Sequence, residues 1–93
     1  MIMTSRLEPI RLPDLIVDSQ LIRVSTWLIE LGEVVIAGDA LVELLVKGKT
    51  FDVEAPVSGK LQRINCFEDD VAVAGDILGW IETNSPTDPV SVE

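Results

Sequence analysis

Val34-Val35-Ile36-Ala37-Gly38-Asp39-Ala40-Leu41 returns thirty-seven residues later as Val71-Ala72-Val73-Ala74-Gly75-Asp76-Ile77-Leu78, with five of the eight positions identical. Only two copies occur, and the spacing is short for a solenoid, so the repeat describes one compact domain made of two similar halves. A fainter echo relates Ile10-Arg11-Leu12-Pro13 to Val53-Glu54-Ala55-Pro56 at an offset of forty-three. The six-residue difference between the offsets is an insertion in the first half, placed at Asp14 to Leu21. Two matched halves with one longer loop invite a functional asymmetry at that loop.

Around the repeat, Val- and Ile-rich alternation argues for short strands rather than helices. The expected strands are Glu8 to Leu12, Leu21 to Ile29, Val34 to Ile36, Ala40 to Val46, Lys49 to Glu54, Gly59 to Asn65, Val71 to Val73 and Ile77 to Glu82. Gly32 and Gly38 interrupt any helical period across Leu28 to Leu45. The turns match as well: Leu31-Gly32-Glu33 stands where Glu68-Asp69-Asp70 stands in the second half. Gly32 supplies a positive φ without cost, and Asp69 is one of the few residue types that tolerates it. Asp39 and Asp76 are read as side chains that bond local amides rather than as acid/base or metal groups. Residues 1–6 are expected to be a flexible N-terminus, 7–83 the domain, and 84–93 a polar, proline-punctuated, disordered tail.

Composition removes several kinds of function. The chain has 93 residues, and 7 basic against 16 acidic residues give a net charge of −9, which disfavours nucleic acid and anionic membranes and favours partners with a basic surface. With no Tyr, two Phe and two Trp, stacking platforms for single-stranded bases are missing. The absence of His removes Ser-His-Asp and Cys-His catalysis and the commonest zinc ligand. No catalytic residue and no metal ligand is assigned, and the chain is not expected to be an enzyme. Cys66 reads as a small packed residue, and the lack of a leader-like or membrane-spanning apolar run points to a cytoplasmic location.

Between the halves, Glu43 to Asp52 reads as two β-rich arms joined by Lys47-Gly48, a two-residue connection of the type I′ kind. It holds Lys47 at the tip and Lys49 just past it. On composition alone these lysines do no more than keep the hairpin soluble.

The chain from about Glu8 to Glu82 resembles the biotinyl/lipoyl attachment domains. The resemblance rests on Ile10-x-Leu12-Pro13-x-Leu15, Trp27-Leu28 before the Gly32 turn, Ala37-Gly38-Asp39-x-Leu41-x-Glu43 leading to the hairpin, Ala55-Pro56-x-x-Gly59 after it, and Val71-x-x-x-Gly75-x-x-Leu78. It implies an all-β fold, a flattened barrel or sandwich of two antiparallel four-stranded sheets related by a pseudo-twofold (a barrel-sandwich hybrid). It also implies a hairpin lysine to which a ligase joins lipoate or biotin through an amide bond. Ten residues on from Gly38, and seven back from Ala55, the matching position is Gly48.

Lysines flank that position on both sides, but a hairpin side chain displaced by one residue leaves in another direction, so the chain is read as a degenerate, unmodified protein-interaction module, with a swinging-arm carrier modified at Lys47 or, after it, Lys49 as the alternative. If a cofactor is carried, the Ile10 and Trp27-Leu28 motifs and the missing Met-Lys-Met signature resemble lipoyl rather than biotin domains, and a lipoate ligase would be a partner. The family's usual Gly-Glu after the Leu15 position is replaced by Ile16-Val17. With Leu21 and Ile22 these form either an exposed partner-binding patch, for another protein or a second copy, or in part an inward-facing addition to the core.

Overall fold

The computed structural model describes residues 3–14 and 21–86. Eight strands follow one another: β1 (Met3–Arg11), β2 (Ile22–Trp27), β3 (Val34–Val35), β4 (Ala40–Val46), β5 (Lys49–Glu54), β6 (Gly59–Ile64), β7 (Val71–Ala72) and β8 (Ile77–Pro86). They form two four-stranded antiparallel sheets, ordered β1-β8-β6-β3 and β5-β4-β2-β7. Exchanging β1 with β5, β8 with β4, β6 with β2 and β3 with β7 converts one order into the other, as the sequence repeat requires. The all-β, two-sheet architecture expected from the sequence is therefore the observed one.

The core is built from residues that the repeat pairs. Val24 and Leu61, Val35 and Ala72, Leu41 and Leu78, Leu44 and Ile81, Ile10 and Val53, and Leu12 and Ala55 are matched by the two offsets, and all twelve are buried. Each large aliphatic side chain withdrawn from water contributes about 1.5–3 kcal/mol. Pairing breaks at three places. Buried Ile22, Val42 and Val46 correspond to Gly59, Gly79 and Thr83.

The two glycines stand where strands crowd together. A Cβ on Gly79 would lie 2.6 Å from the carbonyl oxygen of Arg63 and 3.1 Å from Cη2 of Trp27, and one on Gly59 would lie 2.7 Å from Cγ2 of Ile81. Thus the half that carries the hairpin is the more fully packed.

Backbone hydrogen bonds repeat the same relationship. Leu28 N–H donates to the Leu41 carbonyl and Asn65 N–H to the Leu78 carbonyl, both at 2.8 Å. These bonds extend the β2–β4 and β6–β8 registers one residue past the strand ends, which fall at Trp27 and Ile64, short of the expected Ile29 and Asn65. Gly32 and Asp69, matched in the repeat, both have positive φ, 88° and 74°.

The β1–β8 ladder is longer than local pattern suggested. Met3 pairs with Pro86 and the register continues through Leu7 opposite Glu82, so strand reaches into both segments expected to flex. Ser5 Oγ donates to Glu82 Oε2 at 2.5 Å across this ladder. No helix among the described residues is long and apolar enough to cross a membrane.

Candidate functional site

The β4–β5 hairpin projects from the sheet β5-β4-β2-β7. Its base is fixed from inside: Val42, Leu44 and Val46 are buried, alternating along β4 as a strand with one core face requires. Val46 pairs with Lys49 across the tip, leaving Lys47 and Gly48 as the two turn residues. Their φ angles are 52° and 77°, both positive as a type I′ turn demands. Gly48 is well suited to its corner, whereas Lys47 occupies a left-handed conformation that costs a side-chain-bearing residue about 1–2 kcal/mol. The expected hairpin and turn are thus present, with the register placing Gly48 at the second corner.

Two exposed amines leave the tip from different places. Lys47 is on the first corner. Lys49 is the first residue of β5, opposite buried Val46 and two residues before Phe51, so it belongs to the face of the strand that turns inward farther down. Neither lysine has a carboxylate within ion-pair distance among the described residues. Between them Gly48 offers no side chain, although a Cβ built there meets nothing within 4 Å. The position counted from the flanking motifs has room for a lysine and lacks its amine. A group joined through an amide to that position does not fit the residues present.

The surroundings are set by β2. Ile22 pairs with Val46 on one side and with Ala72 of β7 on the other, so Leu21 arrives beside the hairpin turn. Ile22 is 3% exposed, the inward-facing alternative of the two left open by the sequence: its side chain alternates inward between two buried neighbours. Leu21, by contrast, is 65% exposed, and it shares the outer face with Leu45, Val71 and Val73, all exposed. Ile16 and Val17, the partner-loop residues named from the sequence, lie outside the described residues.

Turn chemistry elsewhere is structural. Trp27 Nε1 donates to the Cys66 carbonyl at 2.8 Å, tying the first half to the second. Thr26 Oγ1 bonds Glu68 Oε2 at 3.0 Å. Cys66 is half-buried, and burial, then the charges of Asp76 and Asp70, push its thiol above the ordinary value. Such a thiol is a poor nucleophile at neutral pH. Among the described residues no group of three His, Cys, Asp or Glu could hold a metal ion. The feature that sequence reasoning did not single out is the uncovered outer edge of β5, and the exposed Phe51 between polar Thr50 and Asp52 was its available signal.

A family model described as "Biotin-requiring enzyme", the biotinyl/lipoyl attachment domain, matches residues 8–81. No curated protein matches the chain.

Proposed function

Since the chain belongs to the biotinyl/lipoyl attachment-domain family, we propose that it works as an unmodified interaction module, a carrier-type domain that has kept the two sheets and lost the attachment point. The observation that carries this reading is Gly48 at the second corner of the hairpin turn, where the flanking motifs count to the lysine. A β-hairpin displaced by one residue turns its side chains to another direction, so Lys47 and Lys49 are not equivalent substitutes for an amine at position 48. The partner is a protein with a basic surface, favoured by the net charge of −9, or a second copy, and the loop bearing Ile16 and Val17 is proposed to take part in that contact. Domains of this family carry groups between active sites and are not catalytic themselves, so no reaction is assigned to the chain.

A second reading has support from the two exposed amines: a swinging-arm carrier lipoylated, or less readily biotinylated, at Lys47 or Lys49. Incubating the purified chain and the Lys47→Arg/Lys49→Arg double variant with a lipoate ligase, lipoate and ATP separates the two. The module reading expects no uptake by either protein. Uptake by the natural sequence that disappears in the double variant would establish the carrier.

A further inference from the structure

β1 and β8 stay paired beyond the rest of their sheet. β6 accompanies β8 only as far as Lys60 opposite Glu82, while β1 continues beside β8 to Met3 opposite Pro86. Among the described strands, residues 83–86 therefore have a neighbour on one side only. At this step Ser5, Val34, Gly59, Lys60, Glu82 and Asn84 line a groove of about 320 Å³.

The groove has both an apolar and a charged group left over. Val34 is 72% exposed, the highest value of any large apolar side chain among the described residues. Lys60 stands between Val34 and Glu82 in the sheet, yet it makes no ion pair among the described residues. Glu82 instead accepts from the Ser5 hydroxyl at 2.5 Å. In the other half the counterpart of Lys60 is Arg23, which donates to the Asp69 carbonyl at 3.0 Å.

The chain itself supplies an occupant of matching chemistry. After Pro86 come Thr87-Asp88-Pro89-Val90-Ser91-Val92-Glu93, which lie outside the described residues. Pro89 has no N–H with which to continue a ladder, and Asp-Pro favours a turn. In an extended chain beyond that turn, Val90 and Val92 share one side and Ser91 takes the other. The distance is also met. From Pro86 to Val34 the chain must return about 13 Å along β8 and cross about 10 Å of sheet, a span of roughly 16 Å. Residues 87–92 reach up to about 20 Å.

We propose that this groove is the docking site of the chain's own segment 87–93, with Val90 and Val92 turned onto Val34 and Glu93 beside the Lys60 ammonium. The tether selects this occupant. A linker of a few residues holds the segment at about millimolar effective concentration, whereas two chains of net charge −9 repel one another before they meet. The groove belongs to the sheet β1-β8-β6-β3 and the hairpin to the sheet β5-β4-β2-β7, so the inference goes beyond the interaction-module reading and does not depend on it.

The test is amide NMR of the full chain carrying a nitroxide on Ser91→Cys in a Cys66→Ser background. That position leaves both valines in place. The expected result is loss of the Val34, Lys60 and Asn84 signals, recovered when the nitroxide is reduced, with the Leu45 and Lys49 signals of the other sheet retained. Adding Val90→Ser and Val92→Ser to the labelled chain should restore the lost signals. Absent or uniform loss overturns the proposal, and so does selective loss that survives the double serine variant. Mixing labelled chain of natural isotopic abundance with unlabelled, isotopically enriched chain should leave every signal intact. Selective loss in that mixture would mean that the groove is filled by a second copy's segment, which also overturns the proposal.

Discussion

Asp39 and Asp76 are the same residue in two halves of one chain: Oδ2 of Asp39 accepts from the Ile36 N–H, and Oδ2 of Asp76 accepts from the Val73 N–H, both at 2.9 Å. Around each, the backbone repeats the pattern. Gly38 N–H donates to the Ala55 carbonyl and Gly75 N–H to the Leu12 carbonyl, while Ala55 N–H and Leu12 N–H donate to the carbonyls of Asp39 and Asp76. Each aspartate thus fixes the turn that locks one half onto the other.

Removing either carboxylate leaves an amide without its charged acceptor. Asp39→Ala and Asp76→Ala should each destabilise the fold by about 1–2 kcal/mol. Urea denaturation checks this, with the midpoint lowered and the slope unchanged. Equal losses from the two variants are expected because the two bonds are equal in length.

Gly59 and Gly48 should separate close packing from backbone strain. At Gly59 an added methyl runs into the Glu82 carbonyl and Cγ2 of Ile81, and Gly59→Ala is expected to cost about 2–3 kcal/mol. Gly48→Ala meets open space and pays only for its positive φ, about 1 kcal/mol. Thermal or chemical denaturation of both variants would rank them.

Asp69 holds the left-handed position that Gly32 holds in the other half, with φ of 74° and 88°. Asp69→Gly relieves that strain and gives back part of the gain as chain entropy. A small net stabilisation, about 0.5 kcal/mol, is expected. A loss of stability would mean that the Asp69 side chain makes a contribution greater than its backbone strain.

The Cys66 thiol has a folded-state pKa above its ordinary value of 9.0. Its proton is held more tightly in the folded than in the unfolded chain, so the associated stability is fully present below the unfolded pKa. It is lost as pH rises from the unfolded pKa through the folded one. Above pH 9 the natural sequence should lose stability relative to Cys66→Ser, and alkylation of the folded thiol by iodoacetamide should be slow at pH 8. Fast alkylation of the folded chain at that pH would contradict the assignment.

Much of the fold was legible because repeat and alternation report the same thing. Val24, Leu41 and Leu44 declare the core face locally, and their mates Leu61, Leu78 and Ile81 confirm it at fixed distance. The β1–β8 extension was not legible. Met3 to Arg6 and Thr83 to Pro86 have weak strand character alone, and they become strand only because each supplies the other's hydrogen-bond partners across some eighty residues. Ile22 and Leu21 could not be told apart from the sequence because adjacent apolar residues do not reveal which of them alternation turns inward; the neighbours Val46 and Ala72 decide it. At the hairpin the turn was readable from Lys47-Gly48, whereas the open edge of β5 needed the sheet order.

The central claim is that this hairpin presents no amine where attachment would occur. Its most direct test is the intact mass of the chain, and of Gly48→Lys, each co-expressed with lipoate and biotin ligases and both cofactors, followed by peptide mapping of residues 40–60. The account predicts an unshifted mass for the natural sequence and a cofactor adduct on the introduced lysine, since space at position 48 is open. An adduct on Lys47 or Lys49 of the natural sequence would contradict the account and make the chain a carrier whose attachment point is shifted by one residue.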